Sequence, residues 1–362
     1  MESVTRLKAF LLKLLTSKKT IKFDIKNAKN ILFLRYDRIG DMVITTPVFR
    51  ELKLKYPEIK ISVLASTINQ NVIHKNPYVD KVYINYKNNL FRDLPTLVKL
   101  RNKKYDVCVE FDHSVVPHSI ARLRIINPKK VISVYKEGRY GVKGNELKLY
   151  DYYTEKSKGL HFQDVWLNTL SPFEVNPKSN KYELYCTEQQ KEKAGDYLLT
   201  FKQKILVGIN IEGAVKGKQI ESNKIEEICR GIYHINSDVQ IILLSSPEKY
   251  KSMMQLSQKL NLFYVDSSYK TESILDAAAL IEKLHLIISP DTSIVHLASA
   301  FDIPVISIHE NNQDSYQLFA PTSEINRTVF ANSQKGITDF SVPFLLKYCG
   351  ELLRLINKKP NN

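Results

Sequence analysis

The chain has 362 residues, a formal net charge of +15 and 43% hydrophobic residues. This composition is typical of a folded globular protein and excludes a collagen-like, low-complexity or disordered chain. The length predicts two domains of similar size, each with its own core. No run of eighteen apolar residues occurs, so we expect no membrane span.

The positive charge indicates acidic partners, and three kinds compete: nucleic acid, an anionic membrane surface and small phosphorylated substrates. The sequence contains no zinc-ligand spacing, helix-turn-helix signature or aromatic RNA-binding motif. Its lysines are also spread through ordinary helices. We therefore expect no nucleic acid, although a basic nucleic-acid-binding protein stays an alternative that salt-sensitive DNA or RNA binding would identify.

The cysteines, Cys108, Cys186, Cys229 and Cys349, are few and lack metal-binding or redox spacing. We interpret them as reduced core residues of a cytoplasmic protein. The first nineteen residues do not resemble a signal peptide, because Lys8 and Lys13 interrupt their apolar stretch.

Residues 1–28 read as a basic amphipathic extension. Apolar residues recur there at helical spacing, with Arg6, Lys8 and Lys13 between them: Val4, Leu7, Phe10, Leu11, Leu14 and Leu15. Such a helix either packs against the first domain or makes a peripheral contact with the anionic inner face of a membrane. We slightly favour packing.

The first half predicts a strand–helix alternation. We predict strands over 31–35, 59–65, 79–84 and 105–111, and helices over 43–56 and 94–103. Residues 129–153, rich in glycine, tyrosine and basic residues, break the rhythm and predict a mobile surface loop. A linker is predicted over 176–180.

The second half repeats the alternation. We predict strands over 205–211, 239–244, 286–289 and 305–308, and helices over 224–235, 253–260, 273–283, 293–301 and 344–357. The fold class is therefore α/β, with two doubly wound parallel-sheet halves facing across a cleft. The predicted divisions are the extension 1–28, a domain 29–175, a domain 181–340 and a C-terminal helix 341–362.

The motif Arg38-Ile39-Gly40-Asp41 follows the first predicted strand. Ligands of open α/β sheets bind at this edge, and Gly40 permits a tight turn or a close backbone approach. Asp41 lies at or near a helix start, where an acidic residue is either a functional carboxylate or a helix cap. Spacing alone leaves both interpretations open.

Residues 289–296, SPDTSIVH, also follow an apolar strand and begin a helix. Thr292 and Ser293 bring hydroxyl and backbone N–H groups to a positive helix end, which predicts a phosphate site. His296 lies one turn further on, although a packed histidine is the commoner role of such a residue. A helix cap with a structural histidine remains the alternative.

Two weaker signals complete the motifs. The loop 213–218, GAVKGK, could cradle a diphosphate, but it lacks Walker spacing and taken alone reads as an exposed basic turn. Asp112 and His113 follow directly at the end of the predicted strand 105–111, where an acceptor could bind.

Together these motifs resemble glycosyltransferase family 9, the ADP-heptose:lipopolysaccharide heptosyltransferase group. The resemblance runs from about residue 30 to about residue 321. It is carried by ILFLRYDRIGDMVITTPVFRELKLKYPEIKISVLA, then NPYVDKVY, and later ISPDTSIVHLASAFDIPVISI. The family often has glycine where Ser293 stands, an aromatic–glycine pair at His309-Glu310 and tryptophan at Ile220.

The resemblance implies a GT-B fold of two Rossmann-like domains and an inverting, metal-independent transfer without a cofactor. It implies that Asp41 is the general base and that Lys218 neutralises the donor diphosphate. Glu248 would hold the donor ribose, and the nucleotide-diphosphate site would comprise Asp291, Thr292, Ser293 and His296. Acceptor contacts are expected from Arg38, Asp112 and His113.

The leading hypothesis is therefore transfer of a sugar, heptose from ADP-heptose, onto a phosphorylated, lipid-linked lipopolysaccharide or lipo-oligosaccharide core. One alternative is a family member that uses a different nucleotide-sugar donor for another surface glycan. Another is a nucleotide-sugar-binding protein without transferase activity, which a turnover assay would exclude.

Overall fold

The computed structural model describes residues 2–19, 21–86, 89–156, 159–213, 215 and 217–358. The chain divides into two compact units, Met1–Lys181 and Tyr182–Asn362. Each unit contains one six-stranded sheet.

The first unit alternates helices and strands and adds short 3₁₀ turns. Its elements in chain order are α1 (Glu2–Thr16), β1 (Asn30–Arg35), α2 (Ile39–Lys55), β2 (Lys60–Ser66), β3 (Lys81–Asn85), α3 (Leu90–Asn102), β4 (Val107–Glu110), α4 (Pro117–Ile126), β5 (Lys130–Ser133), β6 (Tyr152–Tyr153) and α5 (Phe162–Leu167).

The second unit continues the alternation. Its elements are α6 (Glu188–Leu198), β7 (Ile205–Asn210), α7 (Ser222–Ile235), β8 (Val239–Leu244), α8 (Tyr250–Leu260), β9 (Val265–Ser267), α9 (Ile274–Ile281), β10 (Leu286–Pro290), α10 (Ser293–Ala300), β11 (Val305–His309), α11 (Gln313–Phe319), β12 (Asn326–Phe330) and α12 (Val342–Lys358).

Both sheets are parallel and share one strand order. The first runs β3-β2-β1-β4-β5-β6, and the second runs β12-β11-β10-β7-β8-β9. Counted within each unit, both have the doubly wound order 3-2-1-4-5-6 of dinucleotide-binding folds. The predicted α/β class with two Rossmann-like domains is confirmed.

Helices cover both faces of each sheet, which explains the continuous apolar strands in the sequence. In the first unit Leu32 and Cys108 pack with Leu123 of α4. In the second unit Ile241 and Cys229 pack in one core with residues of α12. All four cysteines are free, as predicted; Cys186 alone among them is half-buried rather than buried.

The prediction of a mobile loop over 129–153 is wrong. This segment contributes β5 and β6 to the first sheet, and Val142, Leu147 and Leu149 join the core. The strand β5 was not predicted because a strand of four residues has too few positions to show a period. The tyrosines and basic residues around it also favoured a loop.

The start of α2 also differs from the prediction. The helix begins at Ile39 instead of residue 43, so Gly40 and Asp41 lie inside its first turn. Pro47 lies within the helix.

Within the described part of the chain, no helix is both long and apolar enough to span a bilayer.

A buried ion pair joins β4 to the segment after β5. Lys136 Nζ lies 2.6 Å from Glu110 Oε2, and the two side chains are 0% and 1% exposed. Ser133 Oγ donates to the same carboxylate oxygen over 3.1 Å, and Lys136 also donates to the carbonyl oxygen of Asp112. Burial raises the pKa of Glu110 to about 8, although Lys136 opposes this shift.

Because the pKa of Glu110 is higher in the folded chain than in the unfolded chain, its contribution to stability is greatest at low pH. That contribution falls as the pH rises toward about 8. Removing Lys136 would leave the carboxylate without its cation and strengthen this dependence.

We predict that Lys136→Met lowers the free energy of unfolding of the first unit by about 3–5 kcal/mol at alkaline pH, and by less near pH 5, where Glu110 is protonated more easily. Urea unfolding followed by the fluorescence of Trp166, the one tryptophan of the sequence, measures both values. Glu110→Met with Lys136→Met is the control and should recover most of the loss. An equal loss at both pH values would contradict this account.

Candidate functional site

The strand order fixes where each unit can bind a ligand. In each sheet the chain leaves two central neighbours, β1 and β4 or β7 and β10, in opposite directions. A crevice forms beyond the carboxyl ends of two such strands. The sequence motifs lie at these four strand ends.

Asp41 lies in the first turn of α2, just beyond β1. Its Oδ2 accepts a hydrogen bond from Arg38 N over 3.2 Å, and its Oδ1 lies 3.6 Å from Arg35 Nη2. The side chain is 16% exposed. Asp41 therefore caps the helix, as one interpretation of the sequence predicted, and its carboxylate also reaches solvent at the sheet edge.

Arg35, which the sequence analysis did not select, holds this turn together. Its side chain is 3% exposed and pairs with Asp37 over 3.1 Å, and its Nε donates to the backbone oxygen of Asp41 over 3.3 Å. The guanidinium stacks on Trp166, 3.7 Å from the ring centroid. An arginine at the end of a buried apolar strand is the signal that could have found it, because a buried arginine needs partners.

The three acceptor candidates occupy different environments. Arg38 is exposed at the start of α2. Asp112 accepts a hydrogen bond from Ser119 Oγ over 2.8 Å. Burial, together with Lys136 and Arg35, lowers the pKa of His113 to about 4, so its ring is neutral at physiological pH. The first unit thus gathers these residues at the ends of β1 and β4.

In the second unit, polar side chains connect the ends of β7 and β10. Asn210 Nδ2 donates to Ser289 Oγ over 2.9 Å and to Thr292 Oγ1 over 3.1 Å. Thr292 is the N-cap of α10 and accepts from Ile294 N over 3.3 Å. The amide of Asn210 therefore orients the first turn of a helix whose positive end faces the sheet edge.

Asp291, Ser293 and Ile294 are half-buried around that turn. His296 is 4% exposed, with its ring 6.3 Å from Tyr182 and 6.4 Å from Phe319. The structure shows the packing of His296, and its contact with a donor stays a prediction.

Of the glycine–lysine loop after β7, the structure describes Gly213, Val215, Gly217 and Lys218, while Ala214 and Lys216 lie outside the described residues. A Cβ atom on Gly213 would collide with the carbonyl oxygen of Lys218, so only glycine fits there. Gly217 has a φ of +93°, and its carbonyl oxygen accepts from Ile337 N over 2.8 Å. Gly213 therefore lies against Lys218, and Gly217 is tied to the segment before α12.

Lys218 Nζ lies 3.1 Å from Glu310 Oε1, just beyond β11. The second oxygen of Glu310 accepts from Gly336 N over 3.1 Å. Partial burial pushes the pKa of Glu310 up, but the Gly336 N–H and the Lys218 ammonium outweigh it and hold the pKa below its usual value. Glu310 is therefore a carboxylate at neutral pH.

The residues beside His309 show which groups the second unit gathers. Burial lowers the pKa of His309, Lys218 lowers it further, and Asp291 and Glu310 oppose this. Lys218 and Asp291 therefore both lie within electrostatic reach of His309, and their contact with one ligand stays a prediction.

Glu248 is exposed in the turn between β8 and α8. A second acidic residue, which the sequence analysis missed, lies at the neighbouring strand end. Glu212 accepts from Ser246 N over 3.0 Å and from Ser246 Oγ over 2.9 Å. Its position two residues beyond β7 was the available signal. Among the described residues, no three His, Cys, Asp or Glu side chains form a group that could hold a metal ion.

Comparison with known proteins gives a consistent result. The model of glycosyltransferase family 9 (heptosyltransferase) matches residues 97–340. The lipopolysaccharide core heptosyltransferase OpsX of Haemophilus influenzae is 20% identical over 318 residues, which cover 87% of this chain and 88% of OpsX.

Solved structures share the fold. A family 9 glycosyltransferase of Veillonella parvula has a TM-score of 0.75 at 16% identity, covering 93% of this chain and 99% of its own. Heptosyltransferase WaaC of E. coli, solved with ADP, has a TM-score of 0.69 at 14% identity, covering 89% and 99%. WaaC was also solved with ADP-2-deoxy-2-fluoro heptose.

The family match spans both units and includes the ends of β4, β7 and β10, where the site residues lie. The chain is therefore a glycosyltransferase enzyme with the GT-B fold, and it belongs to glycosyltransferase family 9, the heptosyltransferases.

Proposed function

We propose that this enzyme transfers heptose from ADP-heptose to a hydroxyl group of a lipopolysaccharide or lipo-oligosaccharide core, with inversion and without a metal ion. The relatives support the donor and acceptor classes: OpsX is a lipopolysaccharide core heptosyltransferase, and WaaC was solved with ADP and with a fluorinated ADP-heptose.

One observation supports the donor assignment: a cation in the loop after β7 and an oriented helix start after β10 both lie close to His309. Lys218 supplies the cation, and Thr292, oriented by Asn210, begins α10. A diphosphate would gain charge-assisted hydrogen bonds from the ammonium and from the first N–H groups of the helix. Asp291, Ser293 and His296 complete the proposed donor set, and Glu248 is the proposed ribose ligand.

The ion pair with Glu310 is consistent with Lys218 binding an anionic oxygen. In the structure the Glu310 carboxylate stands against the ammonium at 3.1 Å, as a phosphate oxygen would. Donor binding would then exchange one anion for another at Lys218. This exchange makes Glu310 a competitor of the diphosphate.

Asp41 is the proposed base. The carboxylate is oriented by Arg38 N and by Arg35, which is itself fixed on Trp166. Such anchoring favours one geometry for proton abstraction. Arg38, Asp112 and His113 are the proposed acceptor contacts on the same unit.

The proposed reaction is a single displacement. The acceptor oxygen forms a bond to the anomeric carbon while the bond from that carbon to the diphosphate oxygen breaks. The acceptor proton passes to Asp41, and the electron pair leaves with ADP. Negative charge grows on the departing diphosphate, where Lys218 and the α10 N-terminus stabilise it. We propose that these groups take the role that a divalent cation plays in other transferases.

We predict that Asp41→Asn lowers the rate of transfer by about 10²-fold or more, while binding of ADP-heptose persists. Transfer is measured with ADP-heptose and a truncated core acceptor, and binding by calorimetry. Asp276→Asn is the matched control, because Asp276 caps the first turn of α9 and has no proposed role in the chemistry. Full activity in Asp41→Asn would remove Asp41 as the base.

We predict opposite effects at Lys218 and Glu310. Lys218→Met should weaken ADP binding about tenfold or more, since a hydrogen bond to a charged group contributes about 1.5–3 kcal/mol. Glu310→Gln keeps an acceptor for Gly336 N and removes the competing charge. It should tighten ADP binding by about two- to fivefold, the range of a partly exposed ion pair.

The control for the second variant is Glu351→Gln, which breaks the partly exposed Arg327–Glu351 pair of the same unit and changes the net charge equally. It should leave ADP binding unchanged. Weaker ADP binding in Glu310→Gln would contradict the competition.

A thermal-shift series with ADP-, GDP-, UDP- and CDP-sugars tests which nucleotide the donor carries, since a donor that binds the folded chain raises its stability.

A further inference from the structure

Helix α1 has two apolar faces, and only the narrower one is covered. The inner face packs on the first unit: Leu12 is 6% exposed and belongs to the same core cluster as Leu123 and Leu147. Thr16 is fully buried, and Lys13 Nζ lies 2.7 Å from Glu146 Oε1. The helix is therefore held in place by packing and by an ion pair.

The outer face is broader and open to solvent. It consists of six large side chains that are each 44–64% exposed: Val4, Leu7, Phe10, Leu11, Leu14 and Leu15. At about 100° per residue, they fall within an arc of about 140°, roughly opposite Leu12 and Thr16. Single exposed apolar residues are ordinary, but six on one helix face form a patch of the kind that marks an interaction surface.

Basic residues surround this patch. Arg6 and Lys8 are exposed on α1 itself. Arg124 is exposed on α4 and donates to Ser17 O over 2.8 Å, so it lies at the end of α1. Arg139 and Lys143 are exposed on the segment that contacts α1 through Tyr140 and Glu146.

The neighbouring acidic groups offset little of this charge. Glu146 is paired with Lys13, and Asp151 is paired with Lys18 and Lys130. The helix also has the dimensions of a surface element: 15 residues extend about 22 Å at 1.5 Å each, less than a bilayer core.

We propose that the outer face of α1 docks the enzyme on an anionic lipid bilayer, with the helix lying in the plane of the interface. The apolar arc would enter the acyl boundary, and the flanking Arg and Lys side chains would contact phosphate headgroups. A second copy of the chain fits less well, because apposing two such faces would bring two cationic rims together. The sequence favoured packing of α1 on the first domain, and the structure shows that packing occupies only the Leu12 face.

This inference rests on α1 and its neighbours alone and does not require the proposed donor or acceptor. Its test is vesicle flotation of the full chain, with phosphatidylcholine alone and with about one-third phosphatidylglycerol, at low and high salt. The expected result is binding at least about tenfold stronger to the anionic vesicles, weakening as salt rises.

The decisive variant is Leu7→Gln with Phe10→Gln and Leu14→Gln, which leaves the buried face intact. It should lose vesicle binding at least about tenfold while helicity and ADP binding stay unchanged. The matched control replaces Leu54, Leu199 and Phe263, which are exposed outside α1, by glutamine and should bind vesicles normally.

Three outcomes would overturn the proposal. The first is failure of the unaltered chain to bind anionic vesicles. The second is unchanged binding by the α1 variant. The third is a dimer in sedimentation that this variant alone abolishes, which would assign the face to self-association.

Discussion

The strand order of the two sheets is the constraint on which the candidate sites depend. In a parallel sheet, helices cover both faces, so polar chemistry is confined to the loops at strand ends. Where successive connections diverge, between β1 and β4 and between β7 and β10, no crossover covers the sheet edge. The proposed base and the proposed diphosphate ligands both come from these positions.

The two units meet this constraint with different chemistry. The first places a carboxylate, Asp41, in the first turn of a helix and fixes it with a buried arginine stacked on Trp166. The second uses neutral hydroxyl and amide groups to orient a helix start and adds Lys218. A proton acceptor and an anion site are the two functions that a single displacement with a diphosphate leaving group needs.

Much of the fold could be predicted from the sequence, because the buried parallel strands are continuous apolar runs. The strand 239–244 coincides with β8. The segment 129–153 was predicted wrongly, since its order involves contacts with distant parts of the chain, such as that of the buried Lys136 with Glu110, 26 residues earlier. The sequence alone does not show whether a lysine is buried or exposed; only the contact with its partner shows this.

The candidate site, like the fold, could be predicted from the sequence only in part. Asp41, Lys218 and Thr292 were identified because they follow apolar strands at a spacing that resembles a known family. Arg35, Glu212 and Glu310 were missed, because their roles come from contacts with residues outside their own strand or turn. The sequence left open whether α1 packs on the first domain or contacts a membrane; the burial of Leu12 shows the packed face, and the role of the exposed face is a proposal.

The most direct measurement is a crystal structure of the enzyme with ADP. The account predicts the diphosphate between Lys218 Nζ and the first N–H groups of α10, with Glu310 displaced from the ammonium. ADP bound away from the β7–β10 strand ends, with the Lys218–Glu310 pair intact, would contradict it.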